Sequence, residues 1–369
     1  MSDRLSGVRK LRGRTIEVET VDELDERLAH GASSLAGWHL RSLDLTERAA
    51  ALGKVDVNGA LFLGCRFSPG GERDLRARGA LLFPVVPDVP VDTYRAQLYS
   101  PAELYDGLAD SYHATLDARV YAWSKQTGSR EMSLAKALHD HSIDDALRTF
   151  VDDRALVGVM GGHDLHRGAP EYVDAARLGH ALASNDRYVC TGGGPGAMEA
   201  ANLGAYLAGH DPDEVDQAVK SLGAVPAFRP SVTDWARAAF DVLDRWPEGR
   251  ESLGIPTWHY GHEPPNAFAT SIAKYFKNAI REDILLHVCS AGIVFLPGAG
   301  GTVQEIFQDA CENYYADAAS VAPMVLVGRK YWTETVPVWP LLRSLARGRA
   351  MESLVHLVDD PAEVAPLLA

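Results

Sequence analysis

Apolar positions along the chain fall into two regimes, changing near residue 154. Beyond it, short all-apolar runs alternate with segments of helical period. Residues 155–160, 188–191, 254–260, 291–296, 321–327 and 354–358 read as strands. Residues 171–184, 197–208, 268–287, 302–315 and 338–346 read as helices, with a charged helical insertion over 213–245. Strands that are apolar throughout, each followed by a helix, predict a parallel sheet covered on both faces. Before residue 150 the pattern is less regular. It predicts strands over 15–18, 59–65 and 80–84, an amphipathic helix over 21–28, and helices over 104–110 and 132–150. No internal repeat or low-complexity tract is legible. The expected fold class is therefore α/β. It combines a doubly wound, Rossmann-like parallel sheet over 151–369 with an additional N-terminal α/β domain over 1–150.

In a doubly wound sheet, ligands bind beyond the carboxyl ends of the strands. Three glycine-rich turns fall at that edge: Gly161-Gly162, Gly192-Gly193-Gly194-Pro195-Gly196, and Pro297-Gly298-Ala299-Gly300-Gly301. Each is followed by a helical segment, so backbone N–H groups and a helix start can face an anion. The spacing matches neither the dinucleotide fingerprint G-x-G-x-x-G nor a P-loop, which needs G-K-[ST].

Composition narrows the ligand. A length of 369 residues suggests two domains, and 46% hydrophobic content is ample for buried cores. A formal charge of −14 argues against a nucleic-acid or anionic-membrane surface, though local donors can still hold a nucleotide. Cys65, Cys190, Cys289 and Cys311 lack metal-type spacing and read as reduced core thiols of a cytoplasmic protein. Neither a signal-type segment nor an apolar run of membrane-spanning length is present.

Thr302-Val303-Gln304-Glu305 admits two readings. As a capping box, Thr302 caps the helix and Glu305 reaches back to the first backbone N–H. Alternatively, Glu305 stands one turn into the helix, where it repels phosphate but suits a sugar. There it could hold a ribose hydroxyl or stabilise the cationic charge of glycosidic cleavage. On a helix over 268–287, Lys274, Asn278 and Arg281 share one face, as counter-charges or as a solvated stripe. The Trp258-His259-Tyr260-Gly261-His262-Glu263-Pro264-Pro265 stretch is a base-stacking wall or a hydrophobic lid. His139 and His141, two apart on a helix, do not share a face and read as structural or solvated.

The two motifs Gly192-Gly193-Gly194-Pro195-Gly196-Ala197-Met198-Glu199-Ala200-Ala201-Asn202 and Pro297-Gly298-Ala299-Gly300-Gly301-Thr302-Val303-Gln304-Glu305 resemble the LOG family. Long described as lysine decarboxylases, these are nucleoside 5′-monophosphate phosphoribohydrolases. They include cytokinin-activating enzymes and bacterial pyrimidine/purine nucleotide nucleosidases. The resemblance runs over residues 154–369, with Ala299 replacing the second glycine of P-G-G-x-G-T-x-x-E. It implies hydrolysis of the N-glycosidic bond of nucleoside 5′-monophosphates, with Arg281 and Glu305 as the catalytic pair. Gly193, Gly194, Gly196, Met198, Gly298, Gly300, Gly301 and Thr302 would bind phosphate and ribose, with Gly161, Lys274, Asn278 and Tyr260 as further candidates. It implies no metal, redox or pyridoxal cofactor. It also implies at least a homodimer, and a regulatory or oligomerisation role for the N-terminal region with a nucleotide effector. The alternative is a non-catalytic nucleotide or molybdenum-cofactor carrier of the same fold.

Overall fold

The computed structural model describes residues 15–126, 130–259 and 263–368. They form two compact units, the first from 15–97 with 130–146 and the second from 98–126 with 147–368.

The first unit is a parallel four-stranded sheet of β1 (Ile16–Val18), β2 (Trp38–Arg41), β3 (Leu61–Leu63) and β4 (Leu81–Phe83), in that order. Helix α1 (Val21–Ala29) follows β1, its first turn capped by Thr20 Oγ1 accepting from Glu23 N at 3.1 Å. Partners in register are 20 to 22 positions apart: Ile16 with Trp38, His39 with Leu61, and Leu61 with Leu81; a separate parallel pair, Asp44–Leu45 with Arg66–Phe67, keeps the same spacing. The unit is thus a short solenoid of stacked coils, and the expectation of no internal repeat is corrected. Its corners also stack. Gly37 N donates to Gly59 O, and Gly59 N to Gly79 O, all three glycines with φ of 76° to 89°. Val18, Leu40, Phe62 and Leu82 fill the coil interior, with Leu24 of α1 against them. Of the expected helix over 104–110, only Leu104 is helical, closing a short helix Pro101–Leu104, and 105–110 form turns.

Helix α2 (Arg130–Val151) leads into the second unit. Its His139 is fully buried beside Asp140, a structural histidine, whereas His141 is exposed.

The second unit holds β5 (Leu156–Met160), α3 (Pro170–Ser184), β6 (Tyr188–Thr191), α4 (Ala197–Tyr206), α5 (Pro212–Leu222), α6 (Val232–Arg245), β7 (Leu253–Gly254), β8 (Ser271–Ile272), α7 (Asn278–His287), β9 (Ile293–Phe295), α8 (Gly300–Tyr315), β10 (Met324–Val327), α9 (Trp339–Ala346) and β11 (Val355–Val358). The seven strands form one parallel sheet in the order β8-β7-β6-β5-β9-β10-β11. β5, β9 and β10 are buried at every position, as a sheet covered on both faces requires. The chain adds strands outward from β5 on one side, then returns to build from β9 on the other. β5 and β9 therefore flank the switch point where such sheets bind ligands. Among the described residues no helix is long and apolar enough to cross a membrane.

One helix is much shorter than the sequence pattern predicts. Residues 268–277 are not helical: Ser271–Ile272 pairs with Leu253–Gly254, and Tyr275 N still donates to Pro256 O at 3.0 Å. Sheet pairing overrides local helical period here, and α7 begins only at Asn278.

Candidate active site at the switch point

The three glycine turns meet at the carboxyl ends of β5, β6 and β9. Gly162 N donates to Pro297 O at 3.1 Å, and Ala197 N donates to Gly162 O at 3.0 Å, tying each turn to the next. Gly196 has φ 71°, and a β-carbon there would collide with the Gly162 carbonyl, so glycine is required twice over. Gly193, also left-handed at φ 70°, packs against Pro256. Gly161 is a packing position, since a β-carbon there would lie 2.8 Å from Ala197 Cβ and 3.1 Å from Leu296 Cβ.

A polar layer that sequence reasoning missed supports the β6 turn. Buried Asn266 donates from Nδ2 to Gly194 O at 3.2 Å and accepts Phe268 N and Ala269 N on Oδ1; its backbone N donates to Gly193 O at 2.8 Å. Asn202 Oδ1 accepts from Asn266 Nδ2 and Thr191 Oγ1, and Asn202 Nδ2 donates to Ser252 Oγ. All of these side chains are buried and hydrogen-bonded to one another or to the backbone, which holds the turn in place. An Asn after Pro264-Pro265 was the available signal, and a turn explains it equally well.

The second turn launches α8. The helix starts at Gly300 with Ala299 as its N-cap residue, and no side chain caps it. The capping-box reading of Thr302 and Glu305 is therefore corrected, because Thr302 already lies within the first turn. Its hydroxyl instead fills the space beside Gly298, where any β-carbon would clash with it. Over Gly300 and Gly301 nothing approaches within 4 Å of a built β-carbon, leaving the helix start open to a ligand.

Glu305, freed from capping, is half-buried on the second turn. Burial raises its carboxyl pKa from 4.5 to about 7; Arg281 pulls it down and Glu282 pushes it up. Arg281, from α7, is buried, with Nη2 donating to Asn278 Oδ1 at 2.9 Å and Nε left without a partner. Its Nη1 lies 3.7 Å from a β-carbon built on Gly192, so the guanidinium faces the β6 turn. Glu282 ties the two helices: its carboxylate accepts from Asn278 Nδ2 and from Gln304 Nε2, both at 2.6 Å. Asn278 thus acts one step behind Arg281. One turn deeper on α8, Asp309 is buried with Oδ2 unpartnered, and burial together with Glu312 lifts its pKa to about 8.

Lys274 stands apart from this group. With α7 beginning at Asn278, the shared face of Lys274, Asn278 and Arg281 does not form. Lys274 is instead buried against Asp117 at 2.6 Å, with Trp258 Nε1 and Tyr112 OH donating to the same carboxylate. Desolvation lowers its pKa and Asp117 partly restores it. Trp258 is buried and stacked on Phe276 at 4.7 Å, so it is core rather than a base-stacking wall. Tyr260 lies outside the described residues. Cys65, Cys190 and Cys289 are buried thiols as expected, while Cys311 is exposed. Among the described residues no group of three His, Cys, Asp or Glu is placed to hold a metal.

Residues 154–210 match the sequence profile of the SLOG cluster4 family. That span contains β5, the β6 turn and α4. The chain is also 25% identical over 213 residues to the pyrimidine/purine nucleotide 5′-monophosphate nucleosidase of Escherichia coli (strain K12) and to its counterpart in Escherichia coli O157:H7. The alignment covers 57% of this chain and 39% of each relative, so the chain matches about two fifths of their length. Among solved structures it is similar to the molybdenum cofactor binding protein of Rippkaea orientalis, at 18% identity, covering 58% of this chain and 96% of that one. It is likewise similar to the molybdenum cofactor carrier protein of Chlamydomonas reinhardtii, at 19% identity, 58% and 98%. Both have a TM-score of 0.35, too slight a likeness to bear on function.

Proposed function

We propose that the second unit hydrolyses the N-glycosidic bond of nucleoside 5′-monophosphates, giving free base and ribose 5-phosphate. The observation that carries this reading is the placing of Glu305. Its carboxyl is tuned near neutrality, stands within the field of Arg281, and lies one turn behind a helix start left open to a ligand. The phosphate binds the N–H groups of Gly300, Gly301 and Thr302, aided by the helix dipole. The ribose then lies over Glu305. As the C1′–N bond breaks, the electron pair leaves with the base and positive charge builds on the sugar, which the ionised Glu305 stabilises. Water adds its oxygen to C1′ and its proton goes to the base. A carboxyl that titrates near 7 can take that proton from water and pass it on. Arg281, with an unsatisfied Nε, holds the departing base or the phosphate.

The sequence similarity to nucleotide nucleosidases supports the same chemistry. On this reading the solenoid unit serves regulation or assembly. Incubating the purified protein with AMP, GMP, IMP, CMP and UMP tests the proposal: free base and ribose 5-phosphate are expected from at least one. Glu305→Ala should lower kcat by ~100-fold or more, a typical loss for a positioned acid–base group. Binding without turnover on all five would instead favour a carrier.

A further inference from the structure

Beyond β10 the chain reads Gly328-Arg329-Lys330-Tyr331-Trp332, a stretch that the hydrolytic chemistry above does not use. Gly328 has a left-handed φ of 97°, and a β-carbon built on it would lie 3.5 Å from Pro297 Cγ. The chain therefore folds back against the glycine turn that opens α8. Trp332 fixes this course: it is fully buried, its backbone N donates to Gly328 O at 3.1 Å, and its Nε1 donates to Val327 O at 2.9 Å. Tyr331, edge-on to Trp332 at 4.9 Å, is half-buried and donates its hydroxyl to Gly298 O at 2.8 Å.

That hydrogen bond sets the direction of a peptide plane. In a trans peptide the carbonyl and the following N–H lie in one plane and point opposite ways. With the Gly298 carbonyl turned to Tyr331, the Ala299 N–H points away from it. The preceding plane is held too, since Pro297 O accepts from Gly162 N at 3.1 Å. Gly298 is buried between the Thr302 hydroxyl and Gly162 N, whereas Ala299, Gly300 and Gly301 are exposed. Ala299 keeps a negative φ of −94°, so the turn does not require glycine there. Among the described residues no backbone carbonyl accepts the Ala299 N–H. A cation serves the same place: Arg281, 9% exposed with Nε unpartnered, bears electrostatically on Glu305, one turn behind the α8 start. The β6 turn offers no comparable opening, because Met198 fills the space over it, with Sδ 2.8 Å from a β-carbon built on Gly192 and Cε 3.0 Å from one on Gly194.

Resting on the nucleotide reading above, we propose that Tyr331 is a positioning residue of the phosphate cradle. By holding the Gly298 carbonyl it aims the Ala299 N–H at the phosphate, as a fourth donor beside those of Gly300, Gly301 and Thr302. The phenol acts through the backbone and does not itself touch the substrate. Its donation to the carbonyl also polarises the shared peptide, which strengthens the N–H as a donor.

Tyr331→Phe keeps the ring and deletes the hydroxyl. In calorimetric titration with ribose 5-phosphate, the variant should bind ~10-fold more weakly than wild type, the loss expected for one hydrogen bond to a charged group. On the nucleoside monophosphate that the wild type hydrolyses, KM should rise by ~10-fold with kcat within about 3-fold, a split that a damaged fold does not produce. Ala299→Pro deletes the N–H that Tyr331 aims, so in that background Tyr331→Phe should cost less than about 2-fold further. Unchanged Kd and KM in Tyr331→Phe, a loss confined to kcat, or full additivity with Ala299→Pro would overturn the proposal while leaving hydrolysis intact. Weaker ribose 5-phosphate binding in the variant, without turnover by the wild type, would refute hydrolysis but uphold the role of Tyr331. No ribose 5-phosphate binding by the wild type would refute the cradle and its positioning residue together.

Discussion

Glu305 and Asp309 lie four residues apart on α8, and both hold their protons far above the usual carboxylate range. The sign of the resulting pH dependence is fixed. In the unfolded chain Asp309 ionises near 3.8, but in the folded protein only near 8, so between these values the native state binds the extra proton. Stability contributed by Asp309 is full below 3.8 and falls as pH rises towards about 8. Asp309→Asn removes that fall, worth about 1.4 kcal/mol per pH unit between 3.8 and about 8: it should match wild type near pH 4 and exceed it by several kcal/mol at pH 8.5, as read by denaturant unfolding at both pH values. For Glu305 the corresponding window runs from 4.5 to about 7. The kcat/KM of hydrolysis should show an inflection near pH 7 that disappears in Glu305→Gln. A residue-level motif revealed that Glu305 was special but not why, because capping and catalysis ask for the same residue types. The structure separates them by starting the helix at Gly300 rather than at Val303.

The elements were legible in proportion to their burial. β5, β6, β9, β10 and β11 are near-continuous apolar runs, and all were placed within a few residues. The stretch 268–277 was not, because its apolar spacing suits a helix while its backbone pairs with 253–256 at the sheet edge. That error moved Lys274 from the active site to a buried ion pair with Asp117, a partner 157 positions away that no local pattern reveals. Lys274→Met should therefore destabilise the fold by about 3–5 kcal/mol in chemical denaturation, since it strands a buried carboxylate. Glu282 acts between elements, bridging Asn278 on α7 and Gln304 on α8. Glu282→Ala should lower kcat by ~10-fold with a smaller change in Tm, because Arg281 loses the network that positions it. Gly196→Ala, which brings both an unfavourable φ and a carbonyl clash, should cost on the order of 1–3 kcal/mol and abolish nucleotide binding.

At the scale of the whole chain, the doubly wound parallel sheet and the edge that gathers the glycine turns could be read in advance; the strand order and the solenoid could not. Its coils share strand-to-strand spacing, but only short strands and a glycine corner recur in each, too little identity to stand out as a repeat. With a net charge of −14, the open α8 start offers an anion backbone dipoles rather than basic side chains, the feature on which the proposed phosphate site rests. Ribose 5-phosphate, the expected product, should accordingly raise Tm in a concentration-dependent way, by about 2.7 kcal/mol of added stability at 100 times its Kd. The most direct measurement is a discontinuous assay for free base from AMP, GMP, IMP, CMP and UMP with wild-type protein and Glu305→Gln at matched folding. Release by the wild type, and loss of ~100-fold or more in the variant, is the expected result. No release from any nucleoside monophosphate, or equal release by both proteins, would contradict the assignment of Glu305 to glycosidic chemistry.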